Sequence, residues 1–216
     1  QAYKDVPVLI GGIEASLRRI AHYDYWSNKV RRSVLMDAKA DLLVYGNAER
    51  AVVEVAHRVA AGQTMKDIRD VRGTACLLHE LPGDWEVKDS TRIDQPGKVD
   101  PLYNPYQWEQ TNEALEAPCA KGDGGDSPAD AQVVHIRPAA GSKKQFVSLP
   151  SYEKVSKDPV LYAHTSRVLH LETNPSNART PVQKHGDRYL WMNPPPVPLS
   201  TEELDDVFEL PFQRVP

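Results

Sequence analysis

The sequence predicts an α/β domain built on a parallel β-sheet, and three observations carry that expectation. First, short apolar runs closed by glycine recur: Val6-Pro7-Val8-Leu9-Ile10 before Gly11-Gly12, and Asp41-Leu42-Leu43-Val44-Tyr45 before Gly46. A brief run of this kind suits a strand buried on both faces. Second, helical spacing fills the gaps between such runs, most clearly at Val52, Val55, Ala56 and Val59. Third, only Pro7 and Pro82 of the 18 prolines precede residue 90. Proline removes a backbone donor and fixes φ, so regular structure should concentrate in the first third.

Taken in order, Val6–Ile10 is the first strand, ending at a glycine turn. Glu14–Ala21 follows as a helix, with Leu17, Ile20 and Ala21 on one face. Ser27–Ala38 is expected to be a second helix, capped by Ser27 and carrying Val30 and Val34 one turn apart. Asp41–Gly46 is the next strand, and the valine-rich helix after it ends with Gly62 where a C′ glycine belongs. Thr74–Leu78 is a third strand. Strand, helix and strand joined by short links imply βαβ units with parallel strands and right-handed crossovers. Residues 1–80 are therefore expected to form the later part of a doubly wound, Rossmann-like domain, incomplete at its N-terminus.

Residues 81–132 are expected to be an irregular, flexible linker or insertion, centred on Gly122-Asp123-Gly124-Gly125-Asp126-Ser127-Pro128. Residues 133–216 read as an α+β segment. Its strands are placed at Val133–Ile136 and Gln145–Leu149, and a helix from about Val155 to His170 has Pro159 in its early turns. Beyond Thr173 the chain is expected to be mostly extended, with Pro194-Pro195-Pro196 in polyproline II. Ser200 and Glu203 then form a capping box for a short helix.

Composition narrows the function. The net charge is −4, with acids and bases interspersed rather than blocked, which disfavours nucleic acid as the main partner. No apolar run approaches the roughly 18 residues of a membrane span, and no signal peptide is visible. A cytoplasmic location is the expectation. The two cysteines, Cys76 and Cys119, form no C-x-x-C pair and are expected to be reduced thiols. The chain opens at Gln1, close to a strand pattern, and stops at Pro216 without a capping element, which suggests a piece of a longer protein.

In an open α/β sheet, ligands bind beyond the carboxyl ends of the strands. Two stretches take that place, Gly11-Gly12-Ile13-Glu14 and Gly46-Asn47-Ala48-Glu49. Glycine there permits close approach of the backbone, while Glu14 and Glu49 can face a ligand or simply offset a helix dipole. Neither stretch is a G-x-G-x-x-G fingerprint or a P-loop. His22 and Asp24, within His22-Tyr23-Asp24-Tyr25-Trp26, offer an imidazole and a carboxylate among aromatic rings, or merely plug a domain edge. Glu172 and Asn174 suit a polar ligand or a divalent ion, although Asn174-Pro175 also ends a helix. H-E-x-x-H and G-x-S-x-G are absent, so no catalytic residue is assigned.

Several strings resemble the N-terminal domain of the YgiQ family of bacterial radical SAM proteins. They are Gly11–Trp26, Ala40–Arg50, Ile68–Ala75, Leu149–Glu153, Asp158–Ala163, His170–Pro175, His185–Arg188 and Trp191–Pro196. The resemblance fades near residues 115–132. It implies, for the full-length protein, a [4Fe–4S] cluster on a C-x3-C-x2-C trio with S-adenosylmethionine on the fourth iron. It further implies radical chemistry on a small-molecule substrate, in a barrel that the proline-rich segment leads toward. That barrel would be this chain's partner. The trio is absent from these 216 residues, so the resemblance makes the chain a non-catalytic part. The implied fold is similar to cobalamin-binding domains, but the D-x-H-x-x-G motif that would ligate cobalt is missing, so cobalamin is not expected. The alternative is a stand-alone α/β module that binds small molecules or proteins.

Overall fold

The computed structural model describes residues 6–99 and 144–211. The expected strand at Val133–Ile136, the glycine-rich loop and Cys119 lie outside the described residues. The strands are β1 (Leu9–Ile10), β2 (His22–Asp24), β3 (Lys29–Arg31), β4 (Leu42–Val44), β5 (Thr74–Leu78), β6 (Glu86–Asp89), β7 (Gln145–Leu149), β8 (Thr180–His185) and β9 (Arg188–Met192). The helices, numbered in chain order, are α1 (Gly12–Leu17), α2 (Val34–Ala38), α3 (Glu49–Ala60), α4 (Tyr152–Val155), α5 (Pro159–Leu171) and α6 (Thr201–Glu209). A 3₁₀ turn spans Ser90–Arg92.

Seven strands form one sheet in the order β1-β4-β5-β9-β8-β7-β6, so segments from both ends of the sequence share a single core. Side chains alternate across it. Leu43, Tyr45, Ala75, Val147, Leu190 and Met192 join one buried cluster, whereas Leu42, Val44, Cys76, Phe146 and Trp191 join the other. The first cluster is completed by Ala15, Leu35 and Val168 from α1, α2 and α5; the second by Ala51 and Val55 from α3 with Ile68 and Val71. A sheet covered on both faces explains why its strands are apolar at successive positions rather than every second one.

The α/β class holds, but the sheet is mixed. β1–β4, β6–β7 and β7–β8 are parallel, while β4–β5, β5–β9 and β8–β9 are antiparallel. The expected parallel β4–β5 pair fails because the link after α3 is a long return. Residues 62–73 bury Ile68 and Val71 and carry the chain back to the end where β4 finishes. There the Tyr45 amide donates to the Gly73 carbonyl (2.8 Å), so β5 starts where β4 stops and runs the other way.

Three further expectations are corrected. The Ser27–Ala38 helix is instead the β2–β3 hairpin followed by α2; Asn28, at φ 51°, makes the turn, and Ser33 rather than Ser27 caps the helix. On α3 the buried residues are Ala51 and Val55, leaving Val52 and Val59 exposed, because the apolar arc of this helix is wider than the face the rest of the fold covers. The extended chain after Thr173 contains the β8–β9 hairpin, closed by Gly186 at φ 61°. Strand β6 also falls within a stretch expected to be irregular. The Ser200–Glu203 capping box forms as expected, and Gly62, at φ 91°, follows the end of α3.

Candidate functional site

The carboxyl ends of the parallel pair β1–β4 bring the two glycine stretches together. Gly11 lies against β4, where a Cβ would make an ordinary contact, 3.6 Å, with the Val44 carbonyl oxygen. Ser16 Oγ donates to the Gly12 carbonyl (2.8 Å) and accepts from the Gly46 amide (3.4 Å), tying one turn to the other. Gly12 (φ 86°) and Gly46 (φ 71°) hold left-handed backbone that a larger residue would strain.

The proline segment crosses this crest as a strap. Pro196 fits between Gly46 and Gly73; a Cβ on either would meet its ring at 3.3 and 3.1 Å respectively. The Gly73 amide donates to the Pro194 carbonyl (2.8 Å), and Arg72 donates to the carbonyls of Pro195 (3.0 Å) and Pro175 (2.6 Å). Arg50, on the first turn of α3, pairs with Glu203 at the start of α6 and anchors the far end of the strap. That arginine, with the Ser200 amide, holds the Glu203 carboxyl down at about 2.

On the crest itself Glu14 is exposed and pairs with Arg18 one turn on (2.9 Å). Asn47 and Glu49 are exposed, and their side chains make no hydrogen bond or ion pair with the described residues. Large apolar side chains stand beside them in water. Ile13 and Leu17 on α1 are 79% and 67% exposed. Leu204, Val207 and Phe208 form one stripe on α6, a helix that buries none of its residues.

The remaining predicted residues do not join this crest through any observed contact. His22 and Asp24 lie on β2. His22 Nδ1 donates to the Ile20 carbonyl (3.2 Å), and burial lowers its pKa despite that bond. Asp24 accepts from Ser27 Oγ (2.7 Å), Arg31 Nε (2.5 Å) and the Trp26 amide (3.1 Å), bonds that organise the hairpin turn. These donors hold its carboxyl at about 2, Ser27 foremost and Arg31 next. The turn leaves Tyr25 and Trp26 packed edge to face and largely in solvent. Glu172 is buried at the end of α5 and accepts from Arg179 through both side chain and backbone amide, closing the 172–179 loop. Asn174 Oδ1 accepts from the Ser176 amide (3.0 Å) within that same loop. Both are thus engaged in local structure.

A second concave feature was not legible in the sequence. A cleft of about 530 Å³ opens at the carboxyl ends of β6, β7 and β8, lined among others by Ser90, Leu149, Lys154 and Lys184. Behind Ser90 lie His164 and Asp94, both buried. Ser90 and Asp94 share one turn and His164 comes from α5, and no local motif announces them.

Among the described residues, no three His, Cys, Asp or Glu side chains converge on a metal-sized site. Cys76 is a free thiol buried in β5, and burial pushes its pKa up to about 11. A cluster of four irons needs thiolate ligands in close array. Two cysteines, one of them fixed inside the sheet, do not fit that requirement.

Fold and crest together define an α/β domain with a strapped, apolar-flanked edge and, among the described residues, no cluster of metal-ligating side chains. The chain matches the family described as Radical SAM N-terminal over residues 1–216. It is 59% identical over 218 residues to a UPF0313 protein of Pseudomonas putida, an alignment covering all of this chain and 28% of that protein. Against the UPF0313 protein of Pseudomonas aeruginosa it is 58% identical over 218 residues, and against the UPF0313 protein YgiQ of Escherichia coli K12 it is 56% identical over 220 residues. Each alignment again covers the whole chain and 29% of the relative. No solved structure matches. The chain belongs to the Radical SAM N-terminal family, in its YgiQ-type branch. It spans less than a third of the length of the curated relatives it matches.

Proposed function

We propose that this chain is a docking domain of a radical SAM protein, taking no part in its radical chemistry and holding the remainder of its own polypeptide in place. The radical chemistry on S-adenosylmethionine would belong to that remainder. The observation carrying this reading is the pairing of an exposed apolar edge with a chain that lacks cluster ligands. Leu204, Val207 and Phe208 share one face of α6, at i, i+3 and i+4, the spacing of a helix made to be covered. The occupant is the rest of the same polypeptide, since more than two thirds of each relative's length lies outside the matched region. The strap gives α6 a fixed starting point through Pro196 and the Arg50–Glu203 pair.

In this reading Gly11, Gly12, Glu14, Gly46, Asn47 and Glu49 face the joint between the domain and its partner, where a small-molecule substrate of unknown identity would be enclosed. His22, Asp24, Glu172 and Asn174 support the fold around it. No helix among the described residues is long and apolar enough to cross a membrane. A cytoplasmic setting suits a free thiol at Cys76.

The test is hydrogen exchange across α6 in the full-length protein, comparing wild type with Leu204→Asp/Phe208→Asp. Protection of 201–209 in wild type, lost in the double variant together with S-adenosylmethionine cleavage, supports docking. Equal, fast exchange in both proteins would refute it. Glu14→Gln and Glu49→Gln should reduce turnover of the full-length protein while leaving its melting temperature nearly unchanged, because both carboxylates are exposed.

A further inference from the structure

Ser90 lines the cleft beyond β6, β7 and β8, and buried behind it stand a histidine and an aspartate in the order that activates a hydroxyl. Ser90 opens the 3₁₀ turn that follows β6, and Asp94 is positioned one turn on by its amide, which donates to the Ser90 carbonyl (3.1 Å). His164 comes from the second turn of α5. Its Nε2 lies 3.0 Å from Ser90 Oγ, and its Nδ1 lies 3.5 Å from Asp94 Oδ2. That second distance is an electrostatic contact rather than a formed hydrogen bond, and Nδ1 has no other partner. The carboxylate is the acceptor nearest Nδ1, so it favours the tautomer with the proton on Nδ1. Nε2 is then free to accept from the serine hydroxyl. Arg167 Nε, 3.1 Å from Asp94 Oδ2, keeps the carboxylate in place.

A structural explanation exists: a Ser–His hydrogen bond would pin α5 to the turn. Such a pin does not require a carboxylate behind the ring, yet one is present, and Ser90, itself only 2% exposed, also lines the cleft. Catalytic hydrogen bonds are also commonly long before substrate binds.

We propose that Ser90, His164 and Asp94 form a nucleophilic triad that hydrolyses small carboxylic esters or thioesters, an activity separate from the docking role. Ser90 Oγ attacks the acyl carbon and forms an ester bond, and its proton passes to His164 Nε2. The bond from the acyl carbon to the leaving oxygen or sulfur breaks, and that atom takes the proton from Nε2. Water then gives a proton to Nε2 and adds to the acyl carbon. The bond to Ser90 breaks, Oγ recovers the proton, and the carboxylic acid leaves. Asp94 orients the imidazole and stabilises its charged form. Leu81, Leu149 and Val182 supply an apolar wall for the acyl chain, and Lys154 and Lys184 give the cleft the positive charge that favours a developing oxyanion.

The test uses the full-length protein, a fluorophosphonate probe and 4-nitrophenyl acetate. The expected result is a phosphonate adduct mapped to Ser90 by peptide mass spectrometry. Adduct formation and ester hydrolysis should both be abolished in Ser90→Ala and reduced at least tenfold in His164→Gln and Asp94→Asn. Ser156→Ala, outside the cleft, should match wild type. An unmodified Ser90 in folded wild-type protein would overturn the proposal, as would wild-type labelling of Asp94→Asn. Should a variant fail to fold, the wild-type adduct site alone decides.

Discussion

Replacing Gly73 with alanine tests how tightly the proline strap is built into the fold. Gly73 sits at φ 72°, and an added Cβ would lie 3.1 Å from Pro196 Cδ and 3.2 Å from the Tyr45 carbonyl oxygen. The backbone has little room to yield, because the Gly73 amide and carbonyl bond Pro194 and Tyr45 respectively, each at 2.8 Å. Left-handed alanine costs about 1 kcal/mol, and forcing a methyl against a ring and a fixed carbonyl adds about 2 kcal/mol. Gly62→Ala is the internal control. Its φ of 91° carries the same conformational cost, but nothing lies within 4 Å of the new methyl. For a domain of this size, 1 kcal/mol lowers the melting temperature by about 2–4 °C. Thermal unfolding should therefore show a loss of about 3 °C for Gly62→Ala and about 9 °C for Gly73→Ala. Equal losses would refute the close-packed strap.

Three further outcomes are expected. Burial holds the His185 imidazole down at about 4, against Glu153, which raises it. Since the unfolded histidine titrates near 6.5, this stabilisation is complete above about pH 6.5 and is lost as pH falls toward 4. Between pH 7.5 and 5, urea unfolding should show wild type losing about 2 kcal/mol more than His185→Gln; parallel pH profiles would contradict it. Glu172→Gln should lower stability by about 3 kcal/mol in urea titration, because it leaves the half-buried Arg179 without its carboxylate; a change below about 0.5 kcal/mol would free Glu172 for a ligand role. Cys76, with its thiol pushed up to about 11, should resist iodoacetamide at pH 8 until urea unfolds the chain, as peptide mass spectrometry would show.

Much of the fold was legible because strands β1, β4 and β5 are largely apolar runs, and an apolar run needs no tertiary information to be seen. β8 was not. It reads Thr180-Pro181-Val182-Gln183-Lys184-His185, and it buries two polar side chains, Gln183 held by hydrogen bonds and His185 stacked on Tyr152 with one bond, to Gln183. Gln183 Oε1 accepts from the Ala21 amide (2.8 Å) and its Nε2 donates to the Pro150 carbonyl (3.0 Å), partners far off in sequence. Pro181 is in register with Val147 of β7, and the β8–β9 ladder begins only at Val182, beyond it. Strand direction at β5 depended on how residues 62–73 travel, which local pattern does not encode.

The candidate site divides in the same way. The glycine stretches at 11–12 and 46 were visible because they close apolar runs; Gly12 and Gly46 hold positive φ, and the two stretches do meet at one edge of the sheet. Pro196 as the group they accommodate was not, since nothing local links it to Gly46 or Gly73. Ser90, Asp94 and His164 span more than 70 positions in sequence, and each residue alone is ordinary.

The most direct measurement is iron and sulfide reconstitution of two proteins side by side: residues 1–216, and the full-length polypeptide. The account predicts cluster absorbance, with an electron paramagnetic resonance signal altered by S-adenosylmethionine, in the full-length protein alone. Stoichiometric cluster assembly on residues 1–216 would contradict it.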